Sequence, residues 1–423
     1  MTMNPLRILV VLPFYGGSLP VGRYVARAFR DEGHLVEVFE APDFFSAFSA
    51  IKGLKVSSDR LTQLENGFLS TISQAIYAQV ERFEPDLVFS LAQAPLNRAT
   101  LRRLERDKVV SAMWFVEDHA VFPYWRAFAP SYDLFFVIQK EPLLESLAGI
   151  GAHGVYLPLA ALPEFHKPVP LDTAEKHFYG SDVSFLGAGY PNRRVAFRQL
   201  TAFDFKIWGT EWEGESLLKP HVQAEGRRIT PEESVKIFNA SRINVNLHSS
   251  VRAADLVSRG DFVNPRTFEL AACGAFQLVD PRGLMPELFA ADELATFSDM
   301  TELRESISHY LAHPEERLAF AEKTRARVLA DHTYQHRVRA VLAAVRSKHP
   351  GWPAARASVA VPEALPEDLR LELEALLQRL HLPAQVSFED LVARIRQESG
   401  ILDRLETSLL FLDEWRKQYT RKG

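Results

Sequence analysis

The run DFVNPRTFELAACGAFQLVD at 261–280 holds the residues best suited to chemistry. Asn264 suits a helix N-cap and Pro265 the first helical position, which places Arg266 in the first turn. That end of a helix carries positive partial charge, so an arginine there is unfavourable unless an anion lies beside it. Glu269 follows one turn later on roughly the same face. Backbone N–H groups, an arginine and a carboxylate at one helix end can hold a phosphate and a sugar hydroxyl together. The same side chains can equally form a surface ion pair at i, i+3. The residues alone leave both readings open.

Two further groups fall at the ends of apolar runs. Glu117-Asp118-His119 follows the strand-like run 109–115, and ligands of open α/β sheets bind outside the carboxyl ends of strands. An acidic pair followed by histidine can supply a general base there. Alternatively Asp118 caps a turn and His119 is solvated. The run 182–186 is followed by GAGYPNRR at 187–194, so a second helix starts near a proline with Arg193 and Arg194 in its first turn. The argument made for Arg266 then applies twice. The strand 205–208 ends at Gly209, and the strand 243–248 carries Asn246 and His248 at its end.

The elements that must position these residues alternate regularly. Apolar runs at 7–12, 34–39, 86–91, 109–115 and 134–138 alternate with amphipathic stretches, the pattern of a parallel sheet with crossover helices. A glycine turn follows the first run, but the full G-x-G-x-x-G is missing, so no dinucleotide site is assigned. The fold class is α/β, with two Rossmann-like domains facing a cleft and a helical tail. The expected organisation is an N-terminal, acceptor-side domain at 1–158, a linker at 159–180 rich in proline, histidine and charge, and a second domain at 181–347. A proline-rich linker at 348–366 then leads to a helical tail at 367–423. Leucine stripes mark the helices of that tail, and Ser387-Phe-Glu-Asp390 is a capping signature. The tail packs on the main body by default; self-association or a protein contact is the alternative.

Composition narrows the partners. A net charge of −5 gives no support for nucleic acid as the main ligand. The single cysteine, Cys273, excludes an intrachain disulfide framework and a cysteine-rich zinc site. No metal-ligand signature, Walker loop or G-x-S-x-G stands out. The apolar run at 8–12 is too short for a signal-peptide core, and no later run is long enough for a transmembrane segment. These features point to a cytoplasmic protein.

The motif at 261–274 resembles the signature of GT-B glycosyltransferases that use nucleotide-sugars. There an acidic residue, seven intervening residues and a glutamate precede a small-residue helix end, a glycine and a strand. Asp261 and Glu269 hold that spacing. The core R-x-F-E-x-x-A-C-G-A, at Arg266, Phe268, Glu269, Ala272, Cys273, Gly274 and Ala275, is similar to that of the CgeB-like bacterial glycosyltransferases. The turn FLGAG at 185–189 with Arg193-Arg194 also resembles that family's entry into its second domain. The resemblance covers roughly 5–347 and leaves out the tail. It implies that Glu269 binds the ribose hydroxyls of a nucleotide-sugar co-substrate, and that Arg266 with Arg193 or Arg194 holds the diphosphate. No metal or other cofactor would then be needed. Gly187, Gly189, Gly209, Asn246 and His248 complete the expected donor site. Asp261 would lie near the donor sugar, although the family more often has glutamate there. His119 would face that sugar, and Asp118 would be the base if the reaction inverts. A body that keeps nucleotide binding but acts as a scaffold through its tail is the alternative. An epimerase on the same body is a third reading.

Overall fold

The structure, a computed structural model, describes residues 5–257, 260–354, 358–360, 365–398 and 400–420. The chain divides into two compact units. One comprises Met1–Met113, Ser131–Asp133 and Leu342–Gly423; the other comprises Trp114–Pro130 and Leu134–Val341. Compactness therefore divides the chain near 113 rather than at 158, and assigns the tail to the first unit. Every residue with an expected chemical role lies in the second unit.

In the first unit the strands β1 (Arg7–Val11), β2 (Leu35–Phe39), β3 (Leu87–Leu91) and β4 (Val110–Phe115) follow the order β2-β1-β3-β4. β1 pairs in parallel with both β2 and β3. β1 and β3 are buried along their whole length, so neither has a polar side and both read as unbroken apolar runs. The helix Ser18–Asp31 buries Val21, Val25, Ala28 and Phe29, and the helix Ser58–Phe83 buries Ile72, Ile76, Val80 and Phe83. These are one-face stripes at helical spacing. The helix Phe45–Lys52 has no stripe to announce it, because Phe48 is its only buried side chain.

In the second unit β5 (Leu134–Val137) pairs in parallel with β6 (Gly154–Tyr156). A separate sheet follows, built from β7 (Val183–Leu186), β8 (Phe205–Trp208), β9 (Ile243–Asn246), β10 (Gln277–Val279) and β11 (Ala295–Thr296). Its order is β11-β10-β9-β7-β8 and its pairs are parallel. The chain leaves β7 for β8 on one side, then crosses to β9 on the other. That reversal makes the β7/β9 boundary a topological switch point, where an open sheet leaves a crevice. Phe185, Phe197, Ile207, Ile243, Val245 and Leu278 fill the core around it.

The stretch 159–180 is not a free linker. Leu159, Ala160, Ala161, Leu162 and His166 are buried. Ala161 exchanges backbone hydrogen bonds with His332 and Tyr334. The helix Thr173–Tyr179 starts with a reciprocal capping box between Asp172 and Glu175. Arg337 secures the segment by donating to the carbonyls of Pro158 at 2.7 Å and Leu159 at 3.0 Å. That arginine lies on the helix Tyr334–Lys348.

The tail packs within the first unit, as the default reading had it. Its helices Glu367–Arg379, Phe388–Ile395 and Arg404–Thr420 enclose Leu376, Leu377, Leu380, Leu391 and Ile395. A short antiparallel ribbon, β12 (Ser358–Ala360) with β13 (Gln385–Ser387), lies beside them. Arg416 pairs with Glu389 at 2.6 Å and with Glu84 at 3.2 Å, joining the tail to the end of the helix Ser58–Phe83. The start of the expected linker is also tied down, since Trp352 donates its indole N–H to the Asp86 carbonyl at 3.0 Å. Residues 355–357 and 361–364 of that linker lie outside the described residues. Among the described residues no helix is long and apolar enough to cross a membrane.

Candidate active site

The helix Pro265–Ala272 forms as its local sequence dictates. Asn264 caps it by accepting from the Thr267 N–H at 3.0 Å, and Pro265 occupies the first helical position. Gly274 takes φ +66° beyond the end. There Gly274 N–H bonds to the Ala271 carbonyl and Ala275 N–H to the Leu270 carbonyl, a Schellman closure. All six residues from Thr267 to Ala272 are buried, so the helix is part of the core and its start is rigid.

Arg266 and Glu269 do pair, at 2.8 Å, and both are partly buried. The Arg266 guanidinium also lies 4.7 Å from the ring centroid of Phe238. The charge conflict at the helix start is thus relieved by a carboxylate and an aromatic face. The other Glu269 oxygen stands 3.9 Å from Nε2 of His166. His166 Nδ1 accepts from the Leu162 N–H at 3.0 Å, so its proton sits on Nε2 and points to the glutamate side. Burial and the neighbouring Arg266 lower the His166 pKa, although Glu269 opposes them, and the ring is neutral. This histidine was missed because a proline-rich stretch read as linker.

Arg193 sits at the switch point and spends its donors there. It bonds to the Leu247 carbonyl through Nε at 3.0 Å and Nη2 at 2.7 Å, and to the Ala188 carbonyl through Nη1 at 3.0 Å. One guanidinium therefore laces the turn after β7 to the turn after β9. Burial pushes its pKa down to about 10, which leaves it cationic at neutral pH. Arg194 bonds to the carbonyls of Gly189 at 2.6 Å, Glu213 at 2.8 Å and Glu211. Both arginines thus bond to backbone carbonyls, and these bonds join the turns around the switch point. The glycines serve the same contact. A Cβ on Gly189 would lie 2.0 Å from the Glu211 carbonyl oxygen, and one on Gly209, at φ +117°, 2.6 Å from that of Gly187. Gly187, Gly189 and Gly209 let two turns pass at van der Waals distance; close approach to a ligand is not required to explain them.

Asn246 and His248 are also structural. Both are buried. The Asn246 amide donates to Thr267 Oγ1 at 2.9 Å and to Gln277 Oε1 at 3.0 Å, and its oxygen accepts from Asn264 at 2.8 Å. His248 Nδ1 faces Asp280 Oδ1 at 2.7 Å, while its Nε2 accepts from the Asn264 N–H at 3.0 Å. Asp280 accepts the hydrogen bond from Nδ1–H, so the tautomer is settled by both neighbours. Burial alone would raise the Asp280 carboxyl, but His248 and Arg282 outweigh it and hold it below its usual range. The pair holds Asn264 in place for capping. Both stand at a strand end, where ligands often bind, but their side chains turn inward.

The remaining residues converge through one side chain that the sequence did not single out. Gln139, just after β5 and buried, donates from Nε2 to Asp261 Oδ1 at 2.8 Å. Its carbonyl oxygen accepts from the His119 backbone N–H at 2.9 Å and faces His119 Nδ1 at 3.0 Å. A carboxylate only accepts and a backbone N–H only donates, so the amide cannot be flipped. The His119 proton therefore resides on Nδ1, and Nε2 keeps its lone pair. Asp118 instead accepts from the Ala120 N–H at 2.9 Å. It caps its own turn through that carboxylate oxygen. Glu117 accepts from the Tyr124 hydroxyl at 2.7 Å.

A family model described as glycosyl transferase-like matches residues 193–343. The spore protein CgeB of Bacillus subtilis is 23% identical over 257 residues, 56% of this chain and 76% of that protein. Over much of its length the chain is similar to CgeB, and over 193–343 to the glycosyl transferase-like family. It has the GT-B fold. Sucrose-phosphate synthase of Thermosynechococcus elongatus shares that fold at a TM-score of 0.56, with 13% identity, over 81% of this chain and 98% of that one. Anabaena HepE in complex with UDP and glucose matches at a TM-score of 0.56, with 12% identity, over 81% and 100% of the two chains.

Within this CgeB-like chain the matched span includes Arg193, Asp261, Arg266 and Glu269 but not Asp118, His119 or Gln139. The latter group thus rests on geometry alone. A neighbouring groove of about 660 Å³ at the end of β8 is lined by Trp212, Glu213, Glu215, Lys219 and Glu225, among others. None of the expected site residues lines it.

Proposed function

We propose that this protein transfers a sugar from a nucleotide-sugar to an acceptor hydroxyl. The observation that carries this reading is Glu269, a mostly buried carboxylate bonded to Arg266 at 2.8 Å, with His166 Nε2 3.9 Å from its other oxygen, at one helix start. A carboxylate can accept from two adjacent hydroxyls at once, the arrangement that a ribose offers. When the ribose occupies Glu269, the Arg266 guanidinium is released to the diphosphate beside the positive end of the helix. Arg193 adds cationic field from the switch point while keeping its carbonyl bonds. HepE, of like fold, binds a donor fragment of this class.

Asp261 and His119 serve the sugar end, held together by Gln139. The acceptor oxygen bonds to the anomeric carbon as the bond from that carbon to the diphosphate breaks and the pair leaves with the phosphate. The acceptor proton passes to His119 Nε2, whose lone pair the Gln139 contact keeps available. Charge on the leaving group is balanced by Arg266 and the helix start. The reaction then needs no divalent ion, and turnover should survive a chelator. The acceptor is a hydroxyl of a protein, glycan or small molecule.

A thermal-shift screen across nucleoside diphosphates and their sugars selects the donor, because a ligand stabilises the state it binds. Calorimetry then compares the wild type with Glu269→Ala. Loss of binding in the folded variant is expected; unchanged affinity would overturn the assignment. Donor incubated without acceptor should be hydrolysed slowly at most and not isomerised.

A further inference from the structure

A second cluster of ligating side chains lies where the helix Met300–Ala312 meets the helix Pro314–Asp331. His309, His313 and Glu316 each offer one ligand atom, and the three atoms lie within 4.8 Å of one another. The cluster shares no residue with the proposed transfer site. A tetrahedral zinc ion holds imidazole nitrogens and carboxylate oxygens at about 2.0–2.1 Å, which sets donors about 3.4 Å apart. His309 Nε2 already stands 2.9 Å from Glu316 Oε2. That contact is a hydrogen bond from Nε2–H, because a carboxylate only accepts; in the other tautomer Nε2 is bare, and side-chain rotations then close the set, for which all three side chains have room, being exposed or half-buried.

The second observation concerns protons. His313 Nδ1 lies 2.7 Å from the His309 carbonyl oxygen. A carbonyl only accepts, so Nδ1 carries the hydrogen and Nε2 keeps a lone pair. A ring nitrogen anchored to a backbone carbonyl, with the opposite nitrogen bare, is the state of a metal-ligating histidine before the ion arrives. The two imidazoles stack with centroids 4.2 Å apart, so they are neighbours, and one ring must turn out of the stack for both lone pairs to meet one ion. The backbone between them is fixed from both directions, because His313 closes one helix and opens the next. The neighbouring Arg317 donates to the carbonyls of Tyr310 and Leu311.

We propose that His309, His313 and Glu316 form a peripheral zinc site. Two imidazoles and one carboxylate suit zinc; calcium and magnesium prefer all-oxygen shells. The ion ties the end of one helix to the start of the next, with water in the fourth position. No bond is made or broken there.

The full chain, stripped with chelator and dialysed, is titrated with zinc by calorimetry and with cobalt(II) by visible absorption. One equivalent should bind, and cobalt should give the d–d bands of a low-symmetry site. The double variant His309→Ala/His313→Ala should lose at least about 100-fold in affinity and Glu316→Gln about 10-fold, given the usual sensitivity of metal sites to their ligands. Zinc should raise the melting temperature of the wild type and not of the double variant. His177→Ala, at an exposed histidine elsewhere, should leave all of this unchanged. Stoichiometric binding that persists in the folded double variant overturns the proposal. So does wild-type affinity no greater than that of the double variant.

Discussion

Gln139 and Asp261 stand 122 residues apart in the chain, yet the Gln139 side-chain amide donates to the Asp261 carboxylate at 2.8 Å. The same amide orients His119, so a single buried side chain sets both members of the proposed sugar-end pair. Gln139→Met keeps the volume and removes all three contacts, to Asp261, the His119 N–H and His119 Nδ1. It should lower kcat by about 10-fold or more, the usual scale of a mispositioned general base, with little change in donor KM. Stability should fall by about 1–3 kcal/mol, because the partners are left unsatisfied. Turnover across pH is the telling measurement. A purely structural glutamine would lower melting temperature and leave the shape of the pH profile as it was.

Asp118 and His119 are adjacent, but their surroundings assign them different work. Asp118→Asn keeps an oxygen for the Ala120 N–H, so turnover should stay within a few-fold of wild type. His119→Ala should reduce it by about 100-fold or more, within the range of general-base catalysis. Both are read in one transfer assay. The opposite ranking would return the base to Asp118.

Arg193 should matter more to stability than Arg266. Its three bonds to the carbonyls of Leu247 and Ala188 join two turns across the switch point. Arg193→Ala strands buried carbonyls and should cost about 2–4 kcal/mol in denaturant unfolding. Arg193→Lys should recover little, since one ammonium cannot reproduce the planar fork. Arg266→Ala should cost about 1 kcal/mol or less, the scale of a partly exposed i, i+3 pair, while donor binding is lost.

Acid should destabilise the fold through buried neutral histidines. Burial and Arg337 push His332 down to about 4, and burial also lowers His166 and His248. The unfolded chain takes up these protons near pH 6.5, whereas the folded chain refuses them. The contribution is therefore complete above about 6.5 and is lost as pH falls towards about 4. Each histidine adds a slope of at most about 1.4 kcal/mol per pH unit within that window. His332→Gln can still donate to the Leu288 carbonyl and accept from Arg337. Stability measured at several pH values should show a shallower acid slope for this variant.

What the sequence by itself determined lies within a few residues of chain. The N-cap, proline and terminal glycine around the helix Pro265–Ala272, the cap at Ser387, and the buried parallel strands were all legible. Each depends on backbone geometry and on periodic burial, which neighbouring residues specify. The spacing of Asp261 and Glu269 likewise carried the resemblance to GT-B glycosyltransferases.

The tertiary structure decided where the polar groups spend their bonds. Arg193 and Arg194 resembled anion ligands and went to carbonyls, Arg193 to one 54 residues away. Asn246 and His248 sat at a strand end and turned inward to secure Asn264. The stretch 159–180 has the composition of a linker but is held by Arg337, 178 residues from the Leu159 carbonyl it binds. Gln139 carried no local signal at all. A buried donor must find an acceptor, and which one it finds is set by how distant segments pack.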